Sequence, residues 1–280
     1  MSARPFRFGA SLINVGTSRA DWQAQVRQVE DLGYDIVQVN DHLGMAAPFP
    51  ALVAAADMTS LPLGVYVLNT GVLSPAYLAR DVADTQRLTG GRLEVGLGAG
   101  YVEQEFTAAG LPFGTPGSRF RRLREVLEGT RDLLLAQPDR PLPPIMVAAA
   151  GDRLLDYAAR EADIISFPIT AGFGAGTPEE ALAARVERVR AAAGDRMADL
   201  ELNLFIAGVG DDLSDVDLSI VSAASGKSPE ELIDLPGVLV GSPRHIADKL
   251  QHYRDTYGIS YITVLQPHMA TFAKVIPLLR

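Results

Sequence analysis

Five short stretches carry side chains able to do chemistry. In Asn40-Asp41-His42-Leu43, the imidazole of His42 can take or give a proton near neutral pH, with Asp41 beside it. Read locally, His42 is either a general acid or base, or a loop histidine bonded to Asp41. Val67-Leu68-Asn69-Thr70 offers an amide, Asn69, that either bonds the edge of a heteroaromatic ring or caps the turn before Ser74-Pro75; the turn cap is the simpler reading. In Gly96-Leu97-Gly98-Ala99-Gly100-Tyr101 the alternate positions lack Cβ atoms, so Gly98 and Gly100 would let a flat ligand approach the backbone. Tyr101 adds a phenol that can exchange a proton. Gln104 follows as a candidate ligand contact, between Glu103 and Glu105, which read as solvated carboxylates. Ala148-Ala149-Ala150-Gly151-Asp152-Arg153 runs small residues into a helix start. Free N–H groups and the helix dipole could hold an anion there, though a plain tight turn has the same look. Gln266-Pro267-His268 supplies a last imidazole.

Strands must carry these stretches. Apolar, β-rich runs occur at 6–10, 36–39, 63–68, 93–98, 145–148, 163–167, 200–207 and 261–266. Most lack strict alternation, as expected of parallel strands covered by helices. Helical patterns separate them. Ser18 and Asp21 open one helix, whose stripe is Trp22, Val26 and Val29, and Gly33 stops it. Phe120, Leu123, Leu127, Thr130 and Leu134 line another, which ends before Pro138. Ser242-Pro243 starts a late helix that Gly258 closes. Eight strand–helix units in 280 residues favour a closed (β/α)8 barrel in the α/β class, in one domain spanning 1–280. Each chemically able stretch then falls at a strand's C-terminal end, where barrels keep their active sites. Stretches 170–177, 208–217 and 222–228 read as loops, and 44–50 as a short hydrophobic loop.

Composition narrows the function. With no cysteine, disulfides, thiolate metal sites and a Cys nucleophile are excluded. No His pair has H-x-x-x-H spacing, so no metal is expected, and His245 and His252 read as surface residues of the late helix. Gly96–Tyr101 is not a dinucleotide fingerprint, because Tyr101 stands where the last Gly belongs. The formal charge of −9, from 25 basic and 34 acidic residues, argues against nucleic acid or an anionic membrane as partner. The start, Met1-Ser2-Ala3-Arg4, has no signal-peptide pattern, so the expected location is the cytoplasm.

Together these stretches resemble the bacterial luciferase-like superfamily, and within it the branch using coenzyme F420, an 8-hydroxy-5-deazaflavin. The resemblance rests on residues 30–35, on Asn40-Asp41-His42-Leu43, on 88–101 with its G-G-R-L-E-x-G-L-G-A-G block, and on 158–163. It covers residues 5 to about 168 well. It implies a barrel with an inserted region, often dimeric. The cofactor ring would lie at the mouth near Asp41, Val67, Asn69, Gly98, Gly100 and Gln104, with its phosphate near Ala148, Ala149, Ala150 and Gly151. It also implies a non-proline cis peptide near Tyr66–Val67 and an active-site role for His42, with Tyr101 and His268 in reserve. The family's sugar-phosphate dehydrogenase has a catalytic Glu where Tyr101 aligns, which argues against that activity. Flavin-dependent members often have Arg where Ala99 stands, which tilts the cofactor toward F420 over FMN. The resulting expectation is hydride transfer between F420 and a small organic substrate. Its rivals are an FMN monooxygenase fed by a separate reductase, a non-catalytic flavin-binding protein, and a non-redox barrel lyase or isomerase.

Overall fold

Residues 4–137 and 142–280 are described by the structure, a computed structural model. Met1–Ala3 and Pro138 lie outside them. The apolar runs become strands β1 (Arg7–Leu12), β2 (Ile36–Val39), β3 (Leu63–Asn69), β4 (Leu93–Gly98), β5 (Ile145–Ala148), β6 (Ile164–Phe167), β7 (Glu201–Ile206), β8 (Gly208–Gly210), β9 (Val238–Val240) and β10 (Ile259–Leu265). Eight close a ring in the order β1-β10-β7-β6-β5-β4-β3-β2. This is the (β/α)8 barrel. Its strands fall on the eight expected runs, with ends moved by at most two residues. No helix among the described residues is long and apolar enough to cross a membrane.

The chain divides into two compact units. One comprises Leu12–Gln28 and Ile36–Ala148 and holds β2 to β5. Helix α1 (Arg19–Asp31) starts where Ser18 accepts the Asp21 amide at 3.2 Å. Its Trp22 is buried and donates its indole N–H to the Ala51 carbonyl at 3.1 Å. That bond satisfies the one polar atom of a side chain whose burial dominates its neighbourhood. Ala51 lies on α2 (Pro48–Ala56). The expected loop 44–50 therefore ends in a helix: Pro48 sits in its first turn, where the missing N–H costs nothing. Next come α3 (Pro75–Leu88), α4 (Glu103–Ala108) and α5 (Pro116–Leu135). Thr115 and Ser118 form a reciprocal cap on α5, whose Leu123, Val126, Leu127, Thr130 and Leu134 are buried.

Strand β3 contains the cis peptide, Tyr66–Val67, as the resemblance implied. The β3–β4 register shifts between Val65 and Leu68. There the two Val67 methyl groups lie 2.8 Å from where Cβ atoms on Gly96 and Gly98 would stand. At the opposite end of β4, Arg92 donates to four backbone carbonyls: Thr89, Thr59 and Leu61 at 2.8 Å and Ala56 at 2.9 Å.

The other unit holds the residues up to Ser11, Val29–Asp35 and Ala149–Arg280. Its strands share a buried polar chain in which Ser166 donates to Asn203 at 2.7 Å and Asn203 to Thr263 at 2.8 Å. Helices α6 (Asp152–Glu161), α7 (Pro178–Ala193), α8 (Ser219–Ser225), α9 (Pro229–Leu232) and α10 (Pro243–Tyr257) follow in order, then two single turns near the C-terminus. Ser242 caps α10 and Gly258, at φ 79°, ends it. His245 and His252 are exposed on α10, and His252 meets Glu179 at 3.0 Å. The stretches read as loops are more ordered than expected. Residues 208–217 begin with β8, which pairs in parallel with β9 as a separate two-stranded sheet. Residues 170–177 begin inside a 3-10 turn, Ile169–Gly172, and 222–228 begin inside α8. Three-residue strands and single turns have too little periodicity to be read from sequence.

Candidate active site

One polar constellation gathers past the C-terminal ends of β2, β3 and β4, and all of it lies in the first unit. Its centre is Glu105, one of the two carboxylates read as solvated. Glu105 is buried, 8% exposed, whereas Glu103 two positions earlier is exposed. A two-residue step in a helix turns side chains away from each other, so α4 shows one carboxylate to water and the other to protein. Glu105 Oε1 lies 2.8 Å from His42 Nδ1 and accepts the Leu43 amide at 3.2 Å. Its Oε2 accepts the Asn69 side-chain amide at 3.2 Å.

The orientation of each group follows from its partners. Asn69 Oδ1 accepts the Gly71 amide at 3.0 Å, so its Nδ2 must be the end that faces Glu105. With both oxygens accepting from nitrogen donors, Glu105 serves as an ionised acceptor. A neutral His42 then carries its proton on Nδ1 and keeps a lone pair on Nε2. The Tyr101 hydroxyl lies 3.2 Å from that Nε2, with the rings edge to face at 5.7 Å. Toward the neutral imidazole the phenol donates. Asp41 does not bond His42: its carboxylate accepts the Asn69 backbone N–H at 3.0 Å. The local alternative for His42, a bond to its neighbour, is thereby replaced by one to a carboxylate 63 positions away.

Burial pushes the Asp41 carboxyl above its usual range, opposed by the Asn69 N–H and reinforced by the charge on Glu105. Tyr101 is 58% exposed, with its hydroxyl held 3.2 Å from His42 Nε2. Desolvation there, with the Glu105 charge, raises the phenol and holds its proton.

Packing holds Glu105 in place through its neighbour on α4. Phe106 is buried and lies where a Cβ on Gly71 or Gly100 would be. Phe113 meets it edge to face at 5.2 Å. Gly100 has φ 77°, and a Cβ there would also collide with Asn69 Oδ1. The glycines expected to admit a ligand are filled from within the protein: Gly98 by Val67, Gly100 by Asn69 and Phe106.

The remaining candidates lie as follows. Gln104 is exposed on α4. Ala148 ends β5. In the other unit, Ala149 is buried and its amide donates to Ser166 at 2.9 Å, while the Ala150 carbonyl accepts from Arg185 at 3.1 Å. Gly151 caps α6 without a side-chain cap bond, and its Cβ direction is open. His268 is buried with Nε2 3.0 Å from the Asp217 carbonyl, an acceptor, so that nitrogen carries a proton. Among the described residues no three His, Asp or Glu side chains gather as a metal site requires. Sequence reasoning missed Glu105 and Phe106; their adjacency on a helix opening three residues past a Gly-rich strand end was the available sign.

Residues 5–212 match the model of a family described as luciferase-like monooxygenase. An F420-dependent glucose-6-phosphate dehydrogenase from Kribbella flavida is 31% identical over 202 residues, covering 62% of this chain and 60% of that protein. The chain thus aligns with about three fifths of that relative's length. A solved structure described as monooxygenase RslO1 from Streptomyces bottropensis superposes with a TM-score of 0.75 at 20% identity, covering 96% of this chain and 97% of the other. An F420-dependent secondary alcohol dehydrogenase, solved with an F420-acetone adduct, gives 0.76 at 17% identity and covers 99% and 100%. At these identities the two structures speak to fold.

Proposed function

The chain belongs to the luciferase-like monooxygenase family, and on that premise we propose that it is an F420-dependent oxidoreductase moving a hydride between the deazaflavin and a small organic substrate. The observation that carries the proposal is the Glu105–His42–Tyr101 line, a ready proton acceptor at the C-terminal ends of the strands. A hydride carrier needs a proton partner of this kind, since a net oxidation removes one hydride and one proton. The curated relative named as F420-dependent supports the cofactor.

The residues present fit such a ring. Val15, Leu43 and Tyr101 follow β1, β2 and β4 with 60%, 67% and 58% of their surface exposed, and apolar faces of this kind suit a flat aromatic ligand. Val67 and Asn69 stand at the end of β3 between them in ring order. Taken by itself, the other unit has an anion-suited helix start: Gly151 opens α6 with no side-chain cap, whereas the Ala149 amide before it is spent on the Ser166 carbonyl. When bound, the deazaflavin supplies the two-electron acceptor or donor. His42 holds or releases the proton, Glu105 fixes its tautomer, and Asn69 fixes Glu105. His268 is committed to a backbone carbonyl, which leaves the proton role to His42 and Tyr101. A cytoplasmic homodimer working with a separate reductase belongs to the same reading.

Fluorescence titration of the purified protein with F420 and with FMN tests it. Tight F420 binding with weak FMN binding is expected. FMN preference would turn the reading to a two-component monooxygenase, and binding of neither would remove both.

A further inference from the structure

We propose that Tyr101, rather than His42, is the group that meets substrate: its phenol oxygen takes the proton of a substrate hydroxyl and hands its own proton to His42, with Glu105 as the positioning residue. This rests on the F420-dependent reading and deepens it.

Saturation of the imidazole is the first argument. Nδ1 is spent on Glu105 and Nε2 on Tyr101, so His42 has no nitrogen left for substrate without breaking a bond. Exposure is the second. The His42 side chain is 30% exposed and that of Glu105 11%, whereas Tyr101 is 58% exposed. The line therefore runs outward from a buried carboxylate to an open phenol. The third is the direction of the hydrogen bonds. Glu105 can only accept, which makes a neutral His42 donate from Nδ1 and accept at Nε2, which makes Tyr101 donate to it. A phenol that has given its one proton to a bond retains lone pairs only. Its oxygen thus presents an acceptor and selects a substrate group that donates, an alcohol O–H.

The step balances. The substrate O–H proton passes to the Tyr101 oxygen while the Tyr101 proton passes to His42 Nε2. Hydride leaves the carbinol carbon for the oxidised deazaflavin, and the C–O single bond becomes a carbonyl. The substrate loses two electrons and two hydrogens. The imidazolium that forms is paired with Glu105 and sits near Asp41. The raised phenol keeps Tyr101 protonated in the resting state, as this relay requires.

Two measurements test the proposal. Nitrogen-15 NMR of the four histidines, without cofactor at pH about 8 and with His42 assigned through His42→Gln, reads the tautomer. The expected result is a proton on Nδ1 in the wild type and in Tyr101→Phe alike; a proton on Nε2 in the wild type overturns the relay. The second follows F420 reduction by propan-2-ol and by cyclohexanol. Tyr101→Phe is expected to lower kcat by roughly 100-fold or more with a smaller change in KM and with F420 binding intact. Activity within about twofold of wild type would place the proton transfer on His42 and overturn the proposal. A wild type that binds F420 but oxidises neither alcohol also overturns it. Failure to bind F420 at all is the distinct result that removes the cofactor reading, and the tautomer measurement then still decides the relay.

Discussion

At the scale of single residues, the site is a set of groups whose roles are assigned by what they can accept. Asp41 shows the cost. Its carboxyl is raised chiefly by burial, so its folded-state pKa lies above its unfolded one. Such a group supports the fold fully below the unfolded pKa and loses that support as pH rises through the folded pKa. At neutral pH the ionised Asp41 therefore weakens the fold. Asp41→Asn keeps an oxygen for the Asn69 N–H and removes the charge. We expect it to raise the Tm at pH 7, with the gain fading below about pH 4, as thermal melts at both pH values would read; a lower Tm at pH 7 would contradict the cause given. His42, Asn69 and Tyr101 were legible in the sequence because they stand at strand ends. Glu105 was not. Its partners lie 36 to 63 positions away, and a six-residue helix has too few turns to reveal which of two carboxylates faces inward.

At the scale of elements, α4 is held by its fit to two glycines rather than by its own propensity. Gly100 and Gly90 offer a controlled comparison, since both have positive φ, 77° and 67°. Around Gly90 nothing lies within 4 Å of a Cβ, so Gly90→Ala should cost only the backbone term, about 1 kcal/mol. At Gly100 the Cβ meets Phe106 Cζ at 2.8 Å and collides with Asn69. Gly100→Ala should therefore cost about 3 kcal/mol or more. Urea unfolding of the two variants checks the difference, and equal losses would mean that Phe106 is not fixed by this glycine. The eight barrel strands could be read in advance because each is a buried apolar run flanked by helix caps. β8 and β9 could not, for strands of three residues carry no period. Neither could the first turn of α2, where Pro48 and Pro50 look like loop residues unless the helix behind them is known.

At the scale of the whole molecule, the charge of −9 opposes an anionic cofactor at a distance even where the site receives it. Screening should then speed the encounter. We expect the association rate for F420 to rise roughly two- to threefold between about 0.02 and 0.2 M salt, as stopped-flow fluorescence would show; a rate that falls with salt would reveal a cationic approach that outweighs the net charge. The block 90–101 also joins two ends of one strand that serve different purposes. At one end the four carbonyl bonds of Arg92 rivet the turns preceding β3 and β4. At the other stands Tyr101, to which the proposed relay assigns the chemistry. Scaffold and catalytic rim are thereby insulated within a dozen residues. A lineage, or a protein engineer, can diversify the exposed positions 103 and 104 to explore new substrates while the rivet keeps the barrel from being the thing that is explored.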